Sequence, residues 1–119
     1  MTAVDPGAYA GPDGYAELVL RCVESVPRGR VTTYGAVAEA VGAVVGRGGP
    51  RVVASVMRRD GASVCWWRVV RADGSMAPHK AELARVAWLE EGTPLREGGR
   101  VDLGVAFVVP VPGADRTGG

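Results

Sequence analysis

The stretch Val64-Cys65-Trp66-Trp67-Arg68-Val69-Val70 constrains this chain more than any other. Two adjacent indoles and a guanidinium stand among β-branched residues, so large rings must be held in place by whatever packs around them. The run reads as a short buried strand leading into a turn at Ala72-Asp73-Gly74-Ser75. Upstream, Val31 to Met57 has the pattern of a helix, a glycine-rich connection and a second helix that begins near an arginine. Helix-turn-helix readers of nucleic acid are built this way, and the two stretches together point to DNA.

The charge distribution agrees. The formal net charge is only +1, but Arg28 through Arg71 holds eight arginines against Glu39 and Asp60. Of the 14 basic residues only Lys80 is a lysine, which suits bidentate phosphate contact and is also what the codon bias of a GC-rich genome produces. That bias does not explain the clustering. Two cysteines, Cys22 and Cys65, are too few for a disulfide framework and lie in no metal-ligand spacing, so neither a metal nor another cofactor is expected. No apolar run approaches the roughly 20 residues of a membrane span, and the start lacks the pattern of a signal peptide. The expectation is a cytoplasmic protein with no membrane contact.

A chain of 119 residues with 47% apolar content fits one domain with a real core. The reading divides it into a flexible segment over residues 1–13, a domain over 14–109 and a flexible tail over 110–119. Tyr15, Leu18, Val19, Cys22 and Val26 share one helical face of a first helix ended by Pro27, where Cys22 reads as a small core residue. Thr32 or Thr33 can cap a second helix, Tyr34 to Val41, closed by Gly42. The glycines of residues 43–50 make a flexible connection. Pro50 can open a third helix, about Arg51 to Arg59, that buries Val52, Val53, Val56 and Met57 and leaves Arg51, Ser55, Arg58 and Arg59 outside. A fourth, about His79 to Glu91, turns Leu83, Val86, Ala87 and Trp88 inward and stops at Gly92, and short apolar segments over 101–103 and 105–109 finish the core.

Three ordered blocks carry a family resemblance over about Tyr15 to Leu103. Val26-Pro27-Arg28-Gly29-Arg30-Val31-Thr32-Thr33-Tyr34-Gly35 resembles I-P-x-G-x-V-x-T-Y-G; Arg51-Val52-Val53-Ala54-Ser55-Val56-Met57 resembles R-x-V-G-x-A-[LM]; and Cys65-Trp66-Trp67-Arg68-Val69-Val70 with Asp73-Gly74 resembles P-C-H-R-V-[IV]-x-x-x-G. These are marks of the DNA-binding domain of O6-alkylguanine-DNA alkyltransferases and, within that family, of the alkyltransferase-like proteins. The resemblance implies an α-rich α+β fold, a winged helix-turn-helix-like DNA-binding domain.

The departures bear on function. Trp66 stands where the repair enzymes have the alkyl-accepting cysteine, and Trp67 where they have the activating histidine. An indole forms no thiolate and its nitrogen has no lone pair able to take a proton, so the family's usual alkyl transfer is excluded and no catalytic residue is expected. Tryptophan at the acceptor position is the alkyltransferase-like pattern, which implies a sensor that flips O6-alkylguanine in duplex DNA and hands it to nucleotide excision repair proteins. Trp67 at the histidine position is less usual in the family. Cys65 falls where the family has proline, and on a strand it aims away from the lost acceptor's side.

By the same resemblance Tyr34 presses the phosphate beside the target nucleotide, and Arg51 is the finger that replaces the flipped base in the stack. The interval from Tyr34 to Arg51 is longer than usual, which leaves Arg47 as the alternative finger. Thr33, Ser55 and Arg58 complete the expected DNA-binding set. Trp66 lines the expected lesion pocket with Tyr34, Arg68, Ser75 and Met76, although the loop over residues 75–79 matches the family's lesion-binding loop poorly. Arg68 reads equally well as half of an ion pair with Glu90 or Glu91, and His79 as a surface residue at a helix start. Two other readings remain open: an alkyltransferase that uses Cys65, and a transcription regulator, although no dimerisation stripe is visible and a monomer is expected.

Overall fold

The computed structural model describes residues 12–113. In chain order it contains α1 (Pro12–Glu24), β1 (Thr32–Thr33), α2 (Tyr34–Val45), α3 (Pro50–Asp60), β2 (Val69–Val70), α4 (Pro78–Glu91) and α5 (Leu103–Ala106), with single 3-10 turns at Gly61–Ser63 and Trp66–Arg68. The fold is mostly helical, with a small parallel sheet that pairs Thr32 with Val69 and Thr33 with Val70. Val31 extends it by a parallel bridge to Phe107.

Two cores meet at this sheet. The first is helical: Tyr15, Leu18, Val19, Cys22 and Val23 of α1 pack on Val37, Ala38 and Val41 of α2 and on Val53, Val56 and Met57 of α3. The second gathers Val31, Val70, Met76, Ala84, Trp88, Val101 and Ala106. Trp66 packs against both. α2 and α3 are the helix-turn-helix pair, opened by Thr33, whose Oγ1 accepts from the Ala36 amide at 3.1 Å, and by Pro50 in the first turn of α3. Between them Gly48 lies at φ +91°, and a Cβ there would meet the Tyr15 hydroxyl at 2.2 Å, so only glycine fits.

Several sequence expectations are corrected. α1 starts at Pro12, so the flexible segment expected over 1–13 does not reach Pro12 and Asp13; residues 1–11 lie outside the described region. α2 runs through Gly42 to Val45, because Val44 and Val45 still pack on the first core and Gly46 takes the left-handed cap at φ +74°. On α3, Val52 is 40% exposed. Pro110 is buried and the Val111 amide donates to Ser25 Oγ at 2.9 Å, so the expected tail begins with two anchored residues; 114–119 lie outside the described region.

The Trp stretch is the largest correction. Only Val69–Val70 is strand, and Trp66–Arg68 is a turn of 3-10 helix. The cause is Glu91. Its Oε2 accepts from Trp67 Nε1 at 3.0 Å and from an Arg68 terminal nitrogen at 2.7 Å, while Oε1 accepts from Arg68 Nε at 3.1 Å and from the Gly29 amide at 3.2 Å. Neighbouring residues that reach the same carboxylate cannot alternate faces as a strand requires. The same demand rotates α4: Ala84 and Trp88 are buried, with Trp88 Nε1 donating to the Trp67 carbonyl at 2.8 Å, whereas Leu83 and Val86 face outward at 67% and 50% exposure. The inward stripe is therefore 84, 88 and 91: Trp88 faces inward as expected, Ala87 is half-buried, and Leu83 and Val86 do not belong to it.

Burial alone would raise the Glu91 carboxyl. The hydrogen bonds from Arg68, Trp67 and Gly29 and the adjacent guanidinium charge outweigh burial and hold it below the ordinary glutamate range. With Arg68 and Glu91 side chains only 15% and 4% exposed, Glu91→Gln strands a buried cation. It is expected to cost about 3 kcal/mol, which lowers Tm by more than about 10 °C in a thermal melt. The depressed carboxyl also sets a sign. Its contribution is fully present above the unfolded value of about 4.3 and is lost as pH falls through the lower folded value. The variant's stability should therefore fall less steeply below pH 4 than that of the unmodified protein.

Candidate DNA-facing site

The N-terminal ends of α2, α3 and α4 converge on a cleft of about 330 Å³ lined by Tyr34, Pro50, Arg51, Ala54, Met57, Arg58, Arg71, Ala77, His79 and Lys80. Each side chain is delivered by a local rule. Tyr34 follows the Thr33 cap and is half-buried against the first core. Arg51 follows Pro50, and Ala54 and Arg58 lie one and two turns further along the same helix. Arg71 leaves β2 in a turn closed by the Gly74 amide on the Arg71 carbonyl at 2.8 Å, and Gly74 is pressed so close to Val101 that a Cβ would lie 2.3 Å from its carbonyl oxygen. His79 and Lys80 stand in the first turn of α4 beside Pro78.

Three arginines and a lysine line this cleft together with His79, and no carboxylate does. Burial lifts the Tyr34 phenol above its ordinary value against the opposing pull of Arg71 and Arg58. The hydroxyl therefore stays protonated at neutral pH and can donate to an anionic oxygen. Arg51, Arg58 and Arg71 are exposed. The Lys80 ammonium lies 5.3 Å from the centroid of the Trp66 ring, a cation–π distance. The floor is apolar, made of Ala54, Met57 and Ala77. A wall of cations over such a floor can take a phosphate chain outside and a flat ring within.

The structure brings Tyr34, Arg51 and Arg58 together in the lining of one cleft, with Ser55 exposed on α3 one turn from Arg51. The other expected positions fall elsewhere. Thr33 uses its side chain as the α2 cap. Arg68 is the partner of Glu91 and also donates to the Val26 carbonyl at 3.1 Å, so it braces the fold and does not line the cleft. Ser75 donates to Asp73 Oδ1 at 2.6 Å, Met76 is buried in the second core, and both line a different hollow beside Trp88 and Arg100. Trp66 stands behind Lys80, between the two cores. Trp67 meets it edge to face at 5.7 Å and is tied to Glu91, outside the cleft. Arg47 stacks over the Tyr15 ring at 5.2 Å, so of the two finger candidates it is Arg51 that lines the cleft.

Sequence reasoning missed Arg71, Lys80 and the cleft position of His79. Arg71 closes the basic segment and Lys80 is the single lysine, so the charge pattern held the signal. What it could not supply is that the turn after β2 and the start of α4 face α3. Cys65 does not lie on a strand as expected: it precedes the 3-10 turn at φ −77°, ψ 73°. Cys65 instead lines a separate hollow with Val23, Glu24, Ala62 and Ser63. Cys22 is buried, and burial pushes its thiol up to about 12. Neither thiol lines the cleft.

Residues 15–92 match the family described as the 6-O-methylguanine DNA methyltransferase DNA-binding domain. The chain belongs to this family. It is 34% identical over 95 residues to a DNA base-flipping protein of Escherichia coli K12, an alignment that covers 76% of this chain and 71% of that one. A DNA base-flipping protein of Shigella flexneri matches with the same figures. The crystal structure of S. pombe Atl1 in complex with damaged DNA containing O6-carboxymethylguanine superposes with a TM-score of 0.65 over 81% of this chain and 95% of that one, at 24% identity. The helical fold with its small sheet is thus a fold of this family.

The two arginines on either side of the α2–α3 connection can be told apart by stability. Arg47→Ala removes the contact over Tyr15, worth about 0.5–1 kcal/mol, and is expected to lower Tm by a few degrees. Arg51, exposed and with no side-chain partner among the described residues, should leave Tm nearly unchanged when replaced by alanine.

Proposed function

We propose that this protein binds duplex DNA, rotates O6-alkylguanine out of the stack into the cleft, and holds it there without transferring the alkyl group. The observation that carries the reading is a cation-walled cleft with an apolar floor and no thiol in its lining. Tyr34 and Arg58 engage the phosphates beside the lesion, and Arg51, at the start of α3, enters the space the base has left. Unstacking a base costs a few kcal/mol, so a stacking cation in its place favours the extrahelical state. Trp66 and Trp67, at the acceptor and activating positions of the repair enzymes, supply neither nucleophile nor base. Membership of the family and the base-flipping relatives support this reading. A protein that marks a lesion without removing it needs a downstream process, and we propose nucleotide excision repair proteins as its recipients.

The test is a titration of two fluorescent duplexes, identical but for one O6-methylguanine, at fixed salt. The modified duplex should bind about tenfold more tightly, and both affinities should fall as salt rises. Equal binding would mean that the cleft does not receive the base. Arg51→Ala should lower affinity for the modified duplex about tenfold or more. After incubation with the modified DNA, intact-protein mass spectrometry should show no alkyl increment; an increment on Cys65 would make the protein an alkyltransferase.

A further inference from the structure

β1 and β2 run parallel, with Thr32 beside Val69 and Thr33 beside Val70. Both strands therefore end at the same edge, and the next residue of each, Tyr34 and Arg71, leaves the sheet beside the other with backbones about 4.8 Å apart, the spacing of paired strands. Both side chains line the cleft. The Arg71 backbone is held on both sides: its amide donates to the Ser75 carbonyl at 2.9 Å and its carbonyl accepts from the Gly74 amide at 2.8 Å. That loop is pinned in turn by the Val101 amide, which donates to the Gly74 carbonyl at 3.0 Å. Tyr34 is half-buried and starts α2 at the Thr33 cap. Two fixed roots thus carry one phenol and one exposed guanidinium that has no side-chain partner among the described residues. Asp73, two residues on, is already taken by Ser75 and faces Arg100 at 3.7 Å, so it does not neutralise Arg71.

We infer that Arg71 and Tyr34 form a single seat for one backbone phosphate, the one beside the rotated nucleotide, with Arg71 supplying the charge and Tyr34 a hydroxyl donor. The inference rests on the base-rotation reading and adds a binding residue to it. A guanidinium fork takes two oxygens of one phosphate, or one of them together with the phenol, where a lysine offers a single point of charge. Because the sheet fixes both roots, a phosphate drawn into the seat is held at one distance from the cleft floor. The strand reaches the seat only when it shifts outward with the base, so the seat favours the rotated state over the stacked one.

Single methylphosphonates remove one phosphate charge and keep the linkage. They are placed one at a time on the 5′ or 3′ side of O6-methylguanine and, as a control, about five base pairs away. At one of the two adjoining linkages the replacement is expected to weaken binding by the unmodified protein about tenfold. In Arg71→Gln the same replacement should cost about twofold or less, because the seat's charge is already gone, while the distant replacement should cost the same in both proteins. Arg71→Lys keeps the charge without the fork and should show a penalty between the two. Arg71→Gln should leave Tm nearly unchanged, since the exposed side chain holds nothing in the fold. An adjoining penalty that is unchanged in Arg71→Gln, or none in the unmodified protein, would overturn the seat and leave base rotation standing. If the unmodified protein binds the O6-methylguanine and guanine duplexes equally, both readings fail.

Discussion

The structure depends on one buried carboxylate. Glu91, at the last turn of α4, receives donors from Trp67, Arg68 and the Gly29 amide, and Arg68 reaches on to the Val26 carbonyl. Those contacts join the turn before β1, the turn before β2 and the end of α4. These are the pieces that two strands of two residues each could not hold in place. A pair so nearly dry contributes less net stability than its Coulomb energy suggests, because both ions lost their water on folding. Its contribution is geometric: only one rotation of α4 and one conformation of the Trp stretch satisfy every donor.

The site inherits that geometry. Because α4 is rotated to present Ala84, Trp88 and Glu91 inward, its first turn carries His79 and Lys80 to the cleft facing α3. Because Trp66–Arg68 is a turn, Trp66 lies between the cores, where its ring supports Lys80. The cations at the cleft have no acidic counterparts in its lining, an arrangement that destabilises the isolated protein slightly by self-repulsion and is relieved when an anion arrives. Placing such charges at the ends of helices that are firm elsewhere keeps the recognition surface precise without burying it.

Sequence alone determined the helix-turn-helix. The apolar spacing of α1, the Thr33 cap, Pro50 and the arginines of α3 are local signals with local causes, and the first two motif blocks singled out Tyr34 and Arg51. It also determined that residues 66 and 67 bring no acceptor chemistry, since that follows from what an indole is. Tertiary structure decided what neighbouring elements do to one another. The spacing of α4 turned 83, 86, 87 and 88 inward, and a carboxylate bonded to two other segments set the rotation at 84, 88 and 91 instead. Likewise β-branched residues beside tryptophans favoured a strand until two adjacent side chains had to reach the same oxygen pair. Arg68, Ser75 and Met76 left the expected pocket and Arg71, His79 and Lys80 joined the cleft for the same reason. A residue's type is local, but the direction it faces is set by contacts with residues far away in the chain, and no local pattern records those.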